Sequence, residues 1–211
     1  VPGDPETLII LDEIQECPRA LSSLKMFNEQ RPEIPIIVAG SLLGVALHQG
    51  VSFPVGKVER LRLNPFTFRE FLLALGEANL SKLIDEGDWK LINAFSEKFI
   101  DYLRLYYYIG GMPEAILRYA QTKDYAQVRE LQKEILRDYE FDFSKYAQPV
   151  QSEKIRQLWR SIPSQLAKEN KKLIYSAIKR GARGREYEEA IGWLLSSGLI
   201  LKVNRIEKPG L

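Results

Sequence analysis

The sequence predicts an α/β beginning followed by a mostly helical remainder, and three observations carry that reading. Two aliphatic runs rich in β-branched residues, Leu8-Ile9-Ile10-Leu11 and Ile34-Pro35-Ile36-Ile37-Val38, flank a stretch of helical periodicity. That is the strand–helix–strand order of a parallel crossover unit. From Pro65 to about residue 150 apolar residues recur at helical spacing, and from Gln151 two further helical segments precede a short apolar run and a Pro-Gly turn, an order that fits a winged helix. The chain therefore divides into 1–64, part of a parallel α/β core; 65–150, a helical subdomain; and 151–211, a winged-helix-like domain.

Composition bounds the function. At 211 residues, 45% hydrophobic and 27% charged, the chain has enough material for one or two compact cores. Its one cysteine, Cys17, excludes a disulfide framework and fits a reducing compartment. No apolar run approaches the roughly 18 residues that span a membrane, and no signal-peptide pattern opens the chain. A cytoplasmic protein without a membrane partner is expected. Valine at position 1 is not a natural start, so an internal fragment is expected too. The net charge of +2 is unevenly spread: residues 151–211 hold 13 Lys and Arg against 6 acids, the remainder 17 against 22. A basic last third on an acidic body points to a polyanion contact, although a solvated face has the same composition.

The first strand, Leu8 to Leu11, has four aliphatic residues in a row and reads as buried on both faces. Asp12 and Glu13 follow at once, where the strand leaves the sheet. In open α/β sheets ligands bind beyond the carboxyl ends of the strands. Two carboxylates there suit Mg²⁺ and a water, with Asp12 holding the ion near a polyphosphate and Glu13 orienting or deprotonating the water. This is the shape of a Walker B segment. An ordinary strand with an acidic end looks the same, and the second strand weighs between the two. Leu21, Leu24 and Phe27 mark the helix between them, with Pro18 in its first turn. The second strand, Ile34 to Ser41, ends in a small residue and a hydroxyl and brings Ser41 to the same edge, where it either serves the site or caps a short helix over Leu42–Leu47.

Four motifs now stand in register: LIILDEIQECP (Leu8–Pro18), IIVAGSLLGVAL (Ile36–Leu47), LNPFTFREF (Leu63–Phe71) and GGMPEA (Gly110–Ala115). Over nearly its whole length the chain resembles the archaeal-type AAA+ ATPases, also found in bacteria, that carry a winged helix and a nuclease-like C-terminal domain of unknown function. The resemblance implies the C-terminal part of a P-loop NTPase sheet, a helical lid and a winged helix, with ATP and Mg²⁺ as cofactors. It makes Ser41 the sensor 1 residue, touching the γ-phosphate or the attacking water. It also places the Gly110-Gly111-Met112-Pro113 turn at the nucleotide, in place of a sensor 2 arginine. Glycines allow close backbone approach and a helix N-terminus favours phosphate, though a plain helix-to-helix turn uses the same residues.

The phosphate-cradling loop is missing from this sequence. Gly50-Val-Ser-Phe-Pro-Val-Gly56-Lys57-Val58 is the nearest imitation. It has five residues between the glycines instead of four, and Val58 where Mg²⁺ needs a hydroxyl. The chain should therefore carry the hydrolytic half of a site without the half that grips the nucleotide, and be inactive alone.

Lys57–Leu63 alternates apolar and charged residues and reads as a third strand near an edge. Lys57, Arg60 and Arg62 read as surface charge, since lysine lacks the guanidinium fork of a trans-acting arginine. Pro65 stops the strand, Thr67 and Glu70 form a capping box, Phe68, Phe71, Leu72 and Leu75 line a helix, and Gly76 ends it. One long helix is expected from about Asp88 through Tyr106. Its Tyr106-Tyr107-Tyr108 run reads as packing, not base stacking. Another helix runs from Tyr125 to Tyr146; its Asp138, Glu140, Asp142 and Lys145 spread over several faces and do not make a nuclease site.

In the last third, Ile155, Leu158, Trp159, Ile162 and Leu166 mark a helix, Arg185–Ser197 a second, and Leu199–Val203 a strand, with Gly198 as a left-handed cap. Between the helices lie Lys168, Lys171, Lys172, Lys179, Arg180, Arg183 and Arg185 with one acid, Glu169. This is a candidate phosphate patch, while Glu186, Glu188 and Glu189 would keep the second helix out of a groove. The leading expectation is an ATP-hydrolysing AAA+ segment that moves a lid and a winged helix. The alternative is a non-enzymatic nucleic-acid-binding or oligomerisation module, with DNA or a second copy as partner.

Overall fold

The computed structural model describes residues 7–40, 56–169 and 172–204. They form two units by internal packing: residues up to Arg60 together with those from Phe143 onward, and Leu61–Asp142.

The first unit opens with β1 (Ile9–Leu11), α1 (Pro18–Gln30) and β2 (Ile36–Val38). The strands are parallel, with Ile9 beside Ile36 and Leu11 beside Val38, so the expected strand–helix–strand unit forms. Pro18 opens α1 because its missing N–H has no partner in a first turn anyway. Leu21 and Leu24 of α1, with Ile14, pack under Leu11, Ile36 and Val38. The other face is bare: Leu8, Ile10 and Ile37 are 46%, 64% and 55% exposed. This corrects the expectation of a strand buried on both sides. Alternation along a strand sends neighbours to opposite faces, and the described residues cover one of them.

Lys57–Leu63 forms no strand among the described residues. It has no ladder partner among those residues, and Leu63 is 97% exposed. Lys57 instead meets Glu29 of α1 at 3.4 Å, a surface ion pair.

In the second unit, α2 (Phe68–Ala74) begins with the expected box. The Thr67 N–H donates to Glu70 Oε2 at 2.7 Å, and the Glu70 N–H donates to Thr67 Oγ1 at 3.3 Å. An unexpected helix, α3 (Ala78–Glu86), follows. The single long helix expected from Asp88 is two, α4 (Trp89–Ala94), capped by Asp88, and α5 (Ser96–Ile109), joined at Phe95. Then come α6 (Pro113–Thr122) and α7 (Tyr125–Tyr146), which continues past Asp142 into the residues of the first unit. Phe71, Ile109, Ala115, Ile116, Val128 and Leu131 make one core, and Leu72, Leu80 and Phe99 a second. Packing explains Tyr106, whose hydroxyl donates to Phe66 O at 2.8 Å and whose ring meets Phe71 edge-on. It does not explain Tyr107, which is exposed. Three consecutive helical residues point about 100° apart and cannot share a face.

The rest of the first unit is built on α8 (Pro149–Leu166) and α9 (Glu188–Ser196), with 3-10 turns at Tyr175–Ala177 and Gly184–Glu186. Ile155, Leu158, Tyr187, Ala190 and Leu194 are buried, and the Phe143 ring stands edge-on to Trp159 and Trp193. The buried Ser152 Oγ lies 2.7 Å from Phe143 O and 3.0 Å from Ala147 O, which ties the end of α7 to the start of α8. Gly198 takes φ +76 after α9, as a left-handed cap requires. The strand expected over Leu199–Val203 is not formed; Leu201 and Val203 are exposed and no neighbouring strand is offered among the described residues. None of the described helices is long and apolar enough to cross a membrane.

Candidate functional site

The ends of β1 and β2 lie side by side. The Ala39 N–H donates to Leu11 O at 2.9 Å, and the Ile14 N–H donates to Ala39 O at 3.1 Å. This sets Asp12 and Glu13, both exposed, at the carboxyl edge of a parallel pair. Ile14, buried in the core under the sheet, anchors the turn from below.

The turn is tightly specified. Glu13 has φ 48 and ψ 45, the left-handed region, which costs a residue with a Cβ roughly 1–2 kcal/mol. Such outliers persist where surrounding structure over-determines them, and they cluster at working sites. Asp12 Oδ1 accepts the Glu13 N–H at 3.0 Å, and Glu13 Oε2 accepts from Gln15 Nε2. The Glu16 N–H closes a 3-10 turn on Glu13 O at 2.9 Å, and its carboxylate meets Lys145 Nζ of α7 at 2.7 Å.

The donor set is sparse. No group of three or more metal-capable side chains occurs among the described residues. A dedicated protein cage is therefore not what they offer. Mg²⁺ binds through one or two carboxylates and completes its shell with water and substrate phosphates. An exposed aspartate with a second oxygen unengaged among the described residues suits that mode. Ser41 lies outside the described residues, directly after Gly40.

The glycine turn belongs to the second unit. Gly110 has φ 79 and ψ −175, a region that only glycine occupies readily. The Phe66 N–H donates to Gly111 O at 2.7 Å, and a Cβ on Gly111 would stand 2.4 Å from Phe66 O. Pro113 is the first residue of α6, and Glu114 puts a carboxylate in that first turn. Backbone conformation thus accounts for Gly110 and close packing for Gly111, with no ligand needed for either.

Lys172, Lys179, Arg180, Arg183 and Arg185 are all exposed, whereas Lys171 lies outside the described residues. Lys179 lines a shallow groove of about 460 Å³ together with Lys154, Glu153 and Glu186, so its charge is mixed. Gln15, the left-handed Glu13 and the Lys145–Glu16 pair were not found by sequence reasoning. The only trace of them is the glutamine two places after the acidic pair.

With this geometry in hand, comparison with known proteins gives two family matches. Residues 3–72 match the model of an AAA domain. Residues 100–211 match the model of a domain of unknown function (DUF8612). No curated protein and no solved structure matches the chain.

Proposed function

This chain belongs to the family of the domain of unknown function DUF8612, preceded by an AAA-related domain, and on that premise we propose that it is the hydrolytic part of an AAA+ ATPase. The observation that carries the reading is the exposed Asp12–Glu13 pair at the carboxyl edge of two parallel strands, inside the AAA match. Asp12 is the metal residue. Glu13 orients the attacking water and takes its proton, and Ser41 contacts the nucleotide from the neighbouring strand. Bound Mg²⁺ supplies the charge that offsets the β- and γ-phosphates. Hydrolysis on this reading also requires a phosphate-gripping loop, which this sequence does not contain. Residues 65–150 act as the lid and the last third as a winged helix, moved by turnover in the cytoplasm. Gly110, Gly111 and Pro113 approach the nucleotide as a secondary role, beyond the backbone turn and the close packing that already require the glycines.

The test is a pair of variants of the full-length protein. Glu13→Gln keeps volume and hydrogen bonding but is no base, so ATP binding should survive while turnover falls by roughly two orders of magnitude or more. Asp12→Asn should weaken Mg²⁺-dependent binding instead, because a hard cation prefers a charged oxygen. Near wild-type phosphate release in Glu13→Gln would leave a core strand with an acidic end.

A second reading rests on the exposed cations from Lys172 to Arg185. They support a weak, sequence-independent contact with DNA, which would serve equally if the protein is a binding or oligomerisation module.

A further inference from the structure

We infer that Gln15 is a positioning residue for Glu13, fixing which carboxylate oxygen the glutamate turns toward water. The inference rests on the reading of Glu13 as the water-orienting residue. Gln15 Nε2 donates to Glu13 Oε2, while Gln15 Oε1 is buried without a hydrogen-bond partner among the described residues. The opposite amide assignment would put the carbonyl oxygen against a carboxylate, so the nitrogen must face Glu13. The amide keeps a charge-assisted bond to the carboxylate while its own oxygen stays unmet.

The surrounding turn makes that bond pre-organised. Glu13 is held in the left-handed region, Ile14 is locked in the core, and the Glu16 N–H bonded to Glu13 O fixes the spacing of the two side chains. Lys145 restrains the far end of the turn through Glu16. One carboxylate oxygen of Glu13 is thereby committed to Gln15, and the other is left for the water. Residue type follows from this. Asparagine is one methylene too short, glutamate would repel Glu13, and methionine fills the same space without a donor.

Two measurements test the inference. In this chain, the Gln15 side-chain amide signals should be displaced in nitrogen–proton spectra, and exchange faster, when Glu13 is replaced by alanine. In the full-length protein, Gln15→Met should lower kcat by about ten- to a hundredfold with KM unchanged, the loss expected from a misplaced catalytic group. The melting temperature should stay near that of the wild type, and Gln15→Asn should not restore the rate. Amide signals indifferent to Glu13→Ala, or a Gln15→Met kcat within twofold of wild type, overturn the inference while leaving the ATPase reading intact. A wild-type protein that shows the amide coupling but hydrolyses no ATP overturns the ATPase reading, and this role with it.

Discussion

At Gly111 the chain passes so close to Phe66 that a methyl group would overlap backbone, not a yielding side chain. Gly111→Ala should therefore destabilise the helical unit by about 1–3 kcal/mol, as overpacked sites do, in the absence of any nucleotide. Thermal unfolding of the free chain checks this. An unchanged midpoint would mean that the glycine serves a ligand and not the fold. The residue types at this turn were visible in the sequence, because glycine and proline announce backbone demands directly. The role of Gln15 was hidden for the opposite reason. A side chain that bonds two residues back depends on how the turn closes, and Glu13 closes it in a region that a glutamate rarely visits.

Elements were legible where a local signal sufficed. The Thr67–Glu70 box and Pro113 at a first turn are chemical instructions carried by neighbouring residues, and both helices start where expected. Lys57–Leu63 and Leu199–Val203 failed because a strand is made by its neighbour, and alternation cannot say whether one exists. Leu8–Leu11 encodes a two-sided burial that the described residues half supply. Between helices, Glu77 makes the clearest pH-sensitive link. It accepts from Lys98 Nζ at 2.8 Å and from the Tyr102 hydroxyl at 2.6 Å. The Lys98 bond first, then the Tyr102 bond, holds its carboxyl below the usual 4.5, while the Glu77 bond and burial push the Tyr102 phenol up to about 12. A depressed carboxyl stabilises above its unfolded value, and that share is lost as pH falls below about 4.5. A raised phenol stabilises below 10, and that share is lost between 10 and about 12. Tyr102→Phe should cost about 1–2 kcal/mol at neutral pH and flatten the alkaline limb of the stability curve. Identical alkaline limbs in denaturant titrations of the two proteins would refute the link.

Over the whole molecule, the charge split read from composition maps onto exposed side chains, although Glu186, Glu188 and Glu189 stand exposed beside the cations. If the basic run meets DNA, labelled duplexes should be retained at low salt and released at moderate salt, whatever their sequence. Replacing Lys179, Arg180 and Arg183 by alanine should lower the salt slope by about one for each phosphate that is no longer neutralised. Anisotropy that is flat at low salt, or unmoved by salt, would remove DNA from the range of partners.

The first unit is assembled from two pieces of chain with the whole helical unit between them. During synthesis the strands and the acidic turn leave the ribosome long before Lys145, so the ion pair of Lys145 with Glu16 forms late. The helical unit, continuous in sequence and rich in interactions between near neighbours, can fold in the interval. Once folded it acts as a compact spacer, so joining the two pieces no longer requires closing a loose loop of that length. Damage to the helical core would thus delay the completion of the acidic turn in a newly made chain, even where no residue of that turn has changed.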